Sequence, residues 1–282
     1  MQPGGQIMKI LALDGGGVFG RIQSSIMTEA NCFDKFDAFA GTSIGSPQVL
    51  AAALGTPEII SPDFFDKWMG KVFDAPWYRK MNLLQSEYSD TGLNDALRAV
   101  FGPTTLGDAK KPVFITAADI GQKTLKVFSS TNFDDRSWPA WEICRCATAA
   151  ETYFPPWKGY ADGGIYANNP SMVALAAAVR VLGAKIEDVE ILSIGTGTES
   201  GDEGGTPGTR VGTAIWVLEA MLHGASDNMH DYFVKSLPVK RYTRIQFLRE
   251  PGWQMDDPRD MYLADRKWAE EIEAAVKVVK EF

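Results

Sequence analysis

Histidine is almost missing from this chain: among 282 residues there are two, His223 and His230. Cysteine is scarce as well, with Cys32, Cys144 and Cys146 making an odd set whose last two members are separated by a single residue. Three such cysteines form no disulfide framework and match no metal-ligand spacing, so they read as buried small side chains in a reducing compartment. Positive charge is short: 28 Lys and Arg face 36 Asp and Glu, a net charge of −8. That balance argues against a nucleic-acid partner, which needs a basic footprint. It also supplies no overall field toward an anionic membrane, so membrane contact must rest on local patches. No apolar run reaches the ~18 residues of a spanning helix, and Met1 to Met8 lacks a charged start followed by an apolar core. Neither a membrane span nor a secretory signal is expected, and the expected location is cytoplasmic. Internal repeats and linkers are absent too, so one domain is expected over 1–282, with 45% hydrophobic residues to fill its core.

What the chain does have is glycine at the ends of apolar runs. Phe36 to Ala40 reads as a buried strand, Pro47 to Leu54 as a helix, and between them stands Gly41-Thr42-Ser43-Ile44-Gly45. This is the G-x-S-x-G layout of a nucleophile elbow, where small residues permit a turn that lifts a serine hydroxyl clear of the backbone. Met8 to Leu13 is a second strand-like run; it ends in Asp14-Gly15-Gly16-Gly17-Val18-Phe19-Gly20-Arg21, before a helical stretch from Ile22 to Ala30. Two readings compete for that loop. Gly15, Gly17 and Gly20 fit a dinucleotide fingerprint with Asp34 or Asp37 at ribose distance, which would make the chain a nucleotide-binding oxidoreductase. Alternatively, the N–H groups of Gly15, Gly16 and Gly17 form an oxyanion hole. The second is favoured, because the next strand ends at once in a serine instead of continuing a βαβ series.

A serine nucleophile needs a base. The order Ser43, Asp162, His223 satisfies the α/β-hydrolase triad and would suit a carboxylesterase acting on soluble esters, with His230 the other imidazole to consider. Yet both histidines lie in helical stretches, whereas Asp162 ends a short strand and is followed by Gly163-Gly164. A Ser43–Asp162 dyad is therefore favoured, with burial raising the carboxylate from its aqueous value near 3.9. The bland alternative for Asp162 is a turn carboxylate satisfying nearby N–H groups.

The remaining pattern alternates strands with helices. Pro112 to Asp119 and Leu125 to Ser129 suggest a hairpin, Val189 to Ile194 a buried strand, Arg241 to Leu248 an edge strand, and Arg259 to Glu281 one surface helix. Asn169 is placed to cap a helix with Pro170 in its first turn. The expected fold is α/β: a three-layer α/β/α sandwich with a mainly parallel central sheet, and functional groups at the strand C-termini. Residues 61–90 mix Phe64, Phe65, Trp68, Phe73, Trp77 and Tyr78 with Lys67, Lys71, Arg79 and Lys80. They read either as a core helix or as a lid that meets a lipid–water boundary.

Taken together, D-G-G-G at Asp14 to Gly17, G-T-S-I-G at Gly41 to Gly45 and D-G-G at Asp162 to Gly164 make the chain resemble the patatin-like phospholipase family. A-N-N-P after the third block, L-S-I-G-T-G at Leu192 to Gly197 and S-D-N-M at Ser226 to Met229 extend the likeness over nearly the whole length. The resemblance implies hydrolysis of fatty-acyl esters of membrane phospholipids at a membrane surface, with Ser43 as nucleophile, Asp162 as base, Gly15 to Gly17 as oxyanion donors, and no cofactor or metal. Short members of the family act as nucleotide-regulated, membrane-degrading effectors, so the resemblance also admits a small-molecule activator, for which no residue pattern marks a site. One departure stands out. The family pattern D-G-G-G-x-R-G has Phe19 in its basic position here, and Arg21 follows Gly20. Either Arg21 takes over the positive charge or the site works on backbone donors alone.

Overall fold

Met8–Leu13 forms strand β1, whose last four residues are buried. Its apolar run can be continuous because helices cover both faces of a parallel sheet. A computed structural model describes residues 6–75, 86–150, 153–199, 213, 217, 221 and 227–282 of the chain. Around β1 lie β2 (Ala38–Gly41), β3 (Val113–Asp119), β4 (Thr124–Ser129), β5 (Tyr160–Asp162), β6 (Val189–Ile194) and β8 (Arg241–Ile245). Together they make a seven-stranded sheet in the order β4-β3-β2-β1-β6-β8, with β5 attached to β3. The β1–β2, β2–β3, β1–β6 and β6–β8 pairs are parallel, and β3–β4 is the antiparallel hairpin that the glycine near 121 suggested. A separate two-stranded ribbon pairs β7 (Thr198–Glu199) with β9 (Leu248–Arg249).

Alternation along the strands builds two cores. Leu11, Leu13, Phe39, Ile115 and Ile194 point to one face. There they meet α1 (Gly20–Ala30), α2 (Gly45–Leu54), α3 (Pro62–Val72), α4 (Thr91–Phe101) and α5 (Ala140–Ala147), with the C-terminal helices behind. Ile10, Ala12, Ala40, Phe114 and Ile191 point to the other face, against α7 (Ser171–Arg180) and α8 (Met229–Ser236); the short α6 (Gly164–Ala167) precedes α7. The result is the expected three-layer α/β/α sandwich with a mainly parallel sheet.

Two elements differ from the sequence pattern. The stretch 259–281 is two helices, α9 (Pro258–Lys267) and α10 (Ala269–Glu281), broken at Trp268. The indole is buried against Phe247, with ring centroids 4.9 Å apart, and donates to the Leu248 carbonyl at 3.1 Å. Placing that side chain inward turns the backbone out of the helix. β5 is the other surprise. It runs antiparallel to β3, pairing Ala117 with Asp162 and Asp119 with Tyr160. β2 pairs with Val113 to Ile115 and stops at Gly41. With β4 on one edge of β3, β2 and β5 share the other in succession, and β5 takes up the edge that β2 vacates. Asp162 thereby lands just beyond the end of β2.

Candidate active site

Beyond Gly41 the chain turns sharply. Thr42 donates its N–H to the Leu13 carbonyl at 3.1 Å, and Ser43 sits at φ +48°, in the left-handed region. A non-glycine residue there costs about 1–2 kcal/mol, so the surroundings must enforce it. They do so through two glycines. A Cβ on Gly41 would lie 2.5 Å from Val49 Cγ2, and one on Gly45 would lie 2.3 Å from the Leu13 carbonyl. α2 therefore presses directly on the end of β1, and the serine is the residue forced outward. Behind it, Thr42 Oγ1 meets Thr116 Oγ1 at 2.7 Å and donates to the Ala167 carbonyl at 2.6 Å, tying the elbow to β3 and α6.

Ser43 and Asp162 line one pocket, and the Ser43 hydroxyl lies near enough to favour the charged form of the carboxylate. Asp162 is 3% exposed, and its Oδ1 accepts the Gly164 N–H at 2.7 Å. Burial raises its pKa to about 6, while Ser43 and Gly164 hold it down. Gly163 has to be glycine, because a Cβ would lie 2.3 Å from Thr116 Oγ1 and 2.6 Å from the Thr116 carbonyl oxygen. The two residues singled out in the sequence are thus brought to one pocket across 119 positions, and the carboxyl has a pKa suited to a base at neutral pH.

The glycine loop lies beside them. Gly15 donates its N–H to the Asn168 carbonyl at 3.2 Å, and its own carbonyl accepts the Thr196 hydroxyl at 2.6 Å. Of the three glycines expected to donate, Gly15 has its N–H engaged, while Gly16 and Gly17 line the same pocket as Ser43. Gly17 has φ +57°, and a Cβ there would lie 2.0 Å from the Met255 carbonyl oxygen, which accepts the Val18 N–H at 2.8 Å. At the start of the loop, Asp14 takes both Nη atoms of Arg244, at 2.9 and 2.6 Å, and the same guanidinium reaches Asp227 at 2.7 Å. Burial raises Asp14 to about 8 against the pull of Arg244, and the second carboxylate, Asp227, adds to the rise. Sequence reading missed Asn168, Thr196, Met255 and Arg244. The first two sit in blocks already noted, whereas Met255 and Arg244 lie in stretches without any motif.

Ser43, Asp162 and the two glycines open on an apolar cavity of about 90 Å³ between the sheet edge, α3 and α4; its walls include Phe64, Met69, Val72, Leu97 and Phe154. That is less than the roughly 150 Å³ that admits a benzene ring, so the enclosed space suits a slender chain segment. α3 buries Phe64, Phe65, Met69 and Val72, as a core helix does. Trp68 stays half-buried, with the ammonium groups of Lys67 and Lys71 each 5.2 Å from its ring centroid. Trp77, Tyr78, Arg79 and Lys80 lie outside the described residues.

Other sequence candidates fall elsewhere. Arg21 pairs with Asp66 at 3.1 Å and with Asp265, and it does not line the pocket, so its charge is spent between α1, α3 and α9. Phe19 instead packs inside an aromatic cluster with Trp253 and Trp268, and the Arg249 guanidinium lies 5.4 Å from its ring centroid. Asp37 accepts the Lys9 N–H at 2.8 Å, at the start of β1. Together with Asp34 it precedes β2, at the opposite end of the strands from the glycine loop. That placement removes the ribose-binding acid from the dinucleotide reading. His230 Nδ1 meets the Asn169 carbonyl at 2.7 Å, so this nitrogen must carry the proton, and burial lowers its pKa. It is not among the residues around Ser43. His223 lies outside the described residues. All three cysteines are free and buried, and no group of described residues gathers metal ligands. No helix of the described residues is long and apolar enough to cross a membrane. Pro170, expected in the first turn of α7, is instead its N-cap, and Asn169 just before it accepts the Ser171 N–H on Oδ1 at 3.0 Å.

Relatives share much of this chain. It is 25% identical over 301 residues to "Probable inactive patatin-3-Kuras 1" of Solanum tuberosum, spanning 86% of this chain and 79% of that protein. Identity is also 25% over 305 residues with "Patatin group J-1" of Solanum tuberosum, spanning 86% and 76%. Among solved structures, VipD from Legionella pneumophila is similar at 14% identity and a TM-score of 0.47, over 97% of this chain and 67% of that one. A family model described as Patatin-like phospholipase matches residues 11–175, more than half of the chain and the span that holds the glycine loop, Ser43 and Asp162, and the chain therefore belongs to the patatin-like phospholipase family.

Proposed function

We propose that this protein is a lipid acyl hydrolase of the phospholipase A type, cleaving fatty-acyl esters of membrane phospholipids. The observation that carries the reading is a serine held at φ +48° beside a buried carboxylate, both lining one apolar cavity. Ser43 Oγ attacks the ester carbonyl carbon, and its proton passes to Asp162. The carbonyl oxygen becomes an oxyanion that the Gly16 and Gly17 N–H groups receive, each such donor being worth about 3–4 kcal/mol in related sites. Collapse breaks the C–O bond, and the departing lysolipid alkoxide takes the proton back from Asp162. Water, deprotonated by the same carboxylate, then attacks the acyl-serine; the C–Oγ bond breaks, Ser43 Oγ takes the proton back from Asp162, and the fatty acid is released. The Gly164 N–H holds the Asp162 carboxylate in place. The acyl chain lies along Phe64, Met69 and Val72, and the Trp68–Lys67–Lys71 face of α3 meets the lipid surface.

The test is lipid mass spectrometry on phosphatidylcholine and phosphatidylethanolamine vesicles. Wild type is expected to release lysolipid and free fatty acid. Ser43→Ala and Asp162→Asn are expected to fall at least ~10³-fold, and His230→Ala to stay within about twofold of wild type. A Ser43→Ala protein as active as wild type, or no lysolipid from wild type, sinks the assignment. Wild-type turnover in Asp162→Asn sinks the dyad.

A further inference from the structure

Tyr88 lies behind the cavity wall and does not line it, yet it is 1% exposed and its hydroxyl donates to Asp256 Oδ2 at 2.5 Å. The ring belongs to the cavity's aromatic end. It meets Phe73 edge-on at 5.3 Å, Phe154 at 5.7 Å and Tyr153 at 6.2 Å, and the Tyr88 N–H donates to the Tyr153 carbonyl at 2.9 Å. The other partner, Asp256, follows the residue whose carbonyl oxygen abuts Gly17 and accepts the Val18 N–H. One phenolic hydrogen bond therefore joins the aromatic end of the acyl cavity to the backbone that fixes the glycine loop. The Glu87 carboxylate faces the same hydroxyl and, with burial and Asp256, raises its pKa, so the phenol keeps the proton it donates.

We propose that Tyr88 is a positioning residue for the oxyanion loop: through Asp256 it holds the Met255 carbonyl against Gly17 and so aims the Gly16 and Gly17 N–H groups at the reacting oxygen. The inference rests on the hydrolase reading above and adds to it a residue from outside every sequence block. The loop from 250 to 257 is otherwise held near Gly17 by the Val18–Met255 bond and by stacking of Trp253 on Phe19 at 6.0 Å. A misplacement well under an ångström at an oxyanion donor is enough to lower turnover, because the donor must meet the developing oxyanion and not the ground-state carbonyl.

Steady-state kinetics on 4-nitrophenyl acetate and 4-nitrophenyl laurate test it, with thermal unfolding measured alongside. The acetyl group is too short to touch the aromatic end, so a residue serving only as cavity wall leaves its turnover alone. Tyr88→Phe keeps the ring and loses the hydroxyl; kcat on the acetate is expected to fall about tenfold with KM within about twofold, the size of one lost hydrogen bond. Asp256→Ala is expected to lose as much, and Tyr88→Phe/Asp256→Ala no more than either alone, since both cut one link. Asp256→Asn still offers an oxygen to the phenol and is expected to return within about threefold of wild type, which keeps the test alive if Tyr88→Phe folds poorly. Wild-type kcat in Tyr88→Phe, an additive double mutant, or a change confined to KM for the laurate overturns the proposal. Ser43→Ala separates the two levels. If it is inactive while Tyr88→Phe is unimpaired, only the positioning role falls. If it retains wild-type turnover, the hydrolase reading falls and takes this one with it.

Discussion

Asp162 is buried at a cost, and the cost has a direction in pH. Its carboxyl titrates at about 6 in the fold against 3.8 for the ordinary group. The folded state therefore binds more protons than the unfolded chain between those values, and stability falls as pH rises from about 4 to about 6. Above that window the penalty is on the order of 3 kcal/mol. The same shift sets the chemistry: kcat/KM is expected to drop about tenfold per pH unit below about 6 and to level off above it. Asp162→Asn is expected to flatten the profile at background activity while melting no lower than wild type at pH 8, measured by calorimetry. A flat wild-type profile between pH 5 and 7 contradicts the role given to this carboxyl. Ser43 and Asp162 were legible as a pair because each stands beside glycines at the end of an apolar run. The role of Arg21 stayed open for the converse reason. Its nearness in sequence to the glycine loop says nothing of Asp66 and Asp265, which reach it from helices far along the chain.

At the level of elements, the glycine loop is the tightest fit in the molecule. Gly17 combines φ +57° with no room, since a Cβ would meet the Met255 carbonyl oxygen at 2.0 Å. Gly102 offers a control, with φ +52° and nothing within 4 Å of a Cβ. Gly17→Ala is expected to lower kcat by at least ~10²-fold, as loss of an oxyanion donor does. Gly102→Ala is expected to leave kcat unchanged and cost about 1–3 kcal/mol of backbone strain in urea unfolding, its ψ of −128° lying outside the left-handed helical region. Equal kcat in the two variants would remove the special standing of the loop. Period and punctuation made most elements readable: continuous apolar runs for β1 and β6, glycine and asparagine at helix ends. Periodicity carried no sign that β5 would turn antiparallel and extend the edge of β3, because a three-residue strand has too few positions to reveal its neighbours. The break at Trp268 was likewise hidden, since only packing against Phe247 pulls that indole inward.

Across the whole molecule, Arg244 is a cation that ties distant segments to the start of the glycine loop. It sits on edge strand β8 and reaches Asp14 at the end of β1, Ser193 on β6 at 2.8 Å, and Asp227 just before α8. Removing it leaves the buried Asp14 and Asp227 side chains without the guanidinium that satisfies both, which costs about 3–5 kcal/mol in comparable sites. Arg244→Met is expected to lower the urea midpoint accordingly, and a change under about 1 kcal/mol would mean that the guanidinium does not hold the two acids in place. Nothing local in the sequence marks this arginine, whose three partners are separated from one another by more than thirty positions each. β3 has a consequence of another kind. Its shared edge receives the strand that bears the nucleophile's turn and, next along, the strand that bears the acid. A chain still emerging from the ribosome, or one with those three residues peeled away in a passing fluctuation, carries a serine with nothing to take its proton. Membranes are then exposed to the proposed chemistry only by copies that have finished closing that seam.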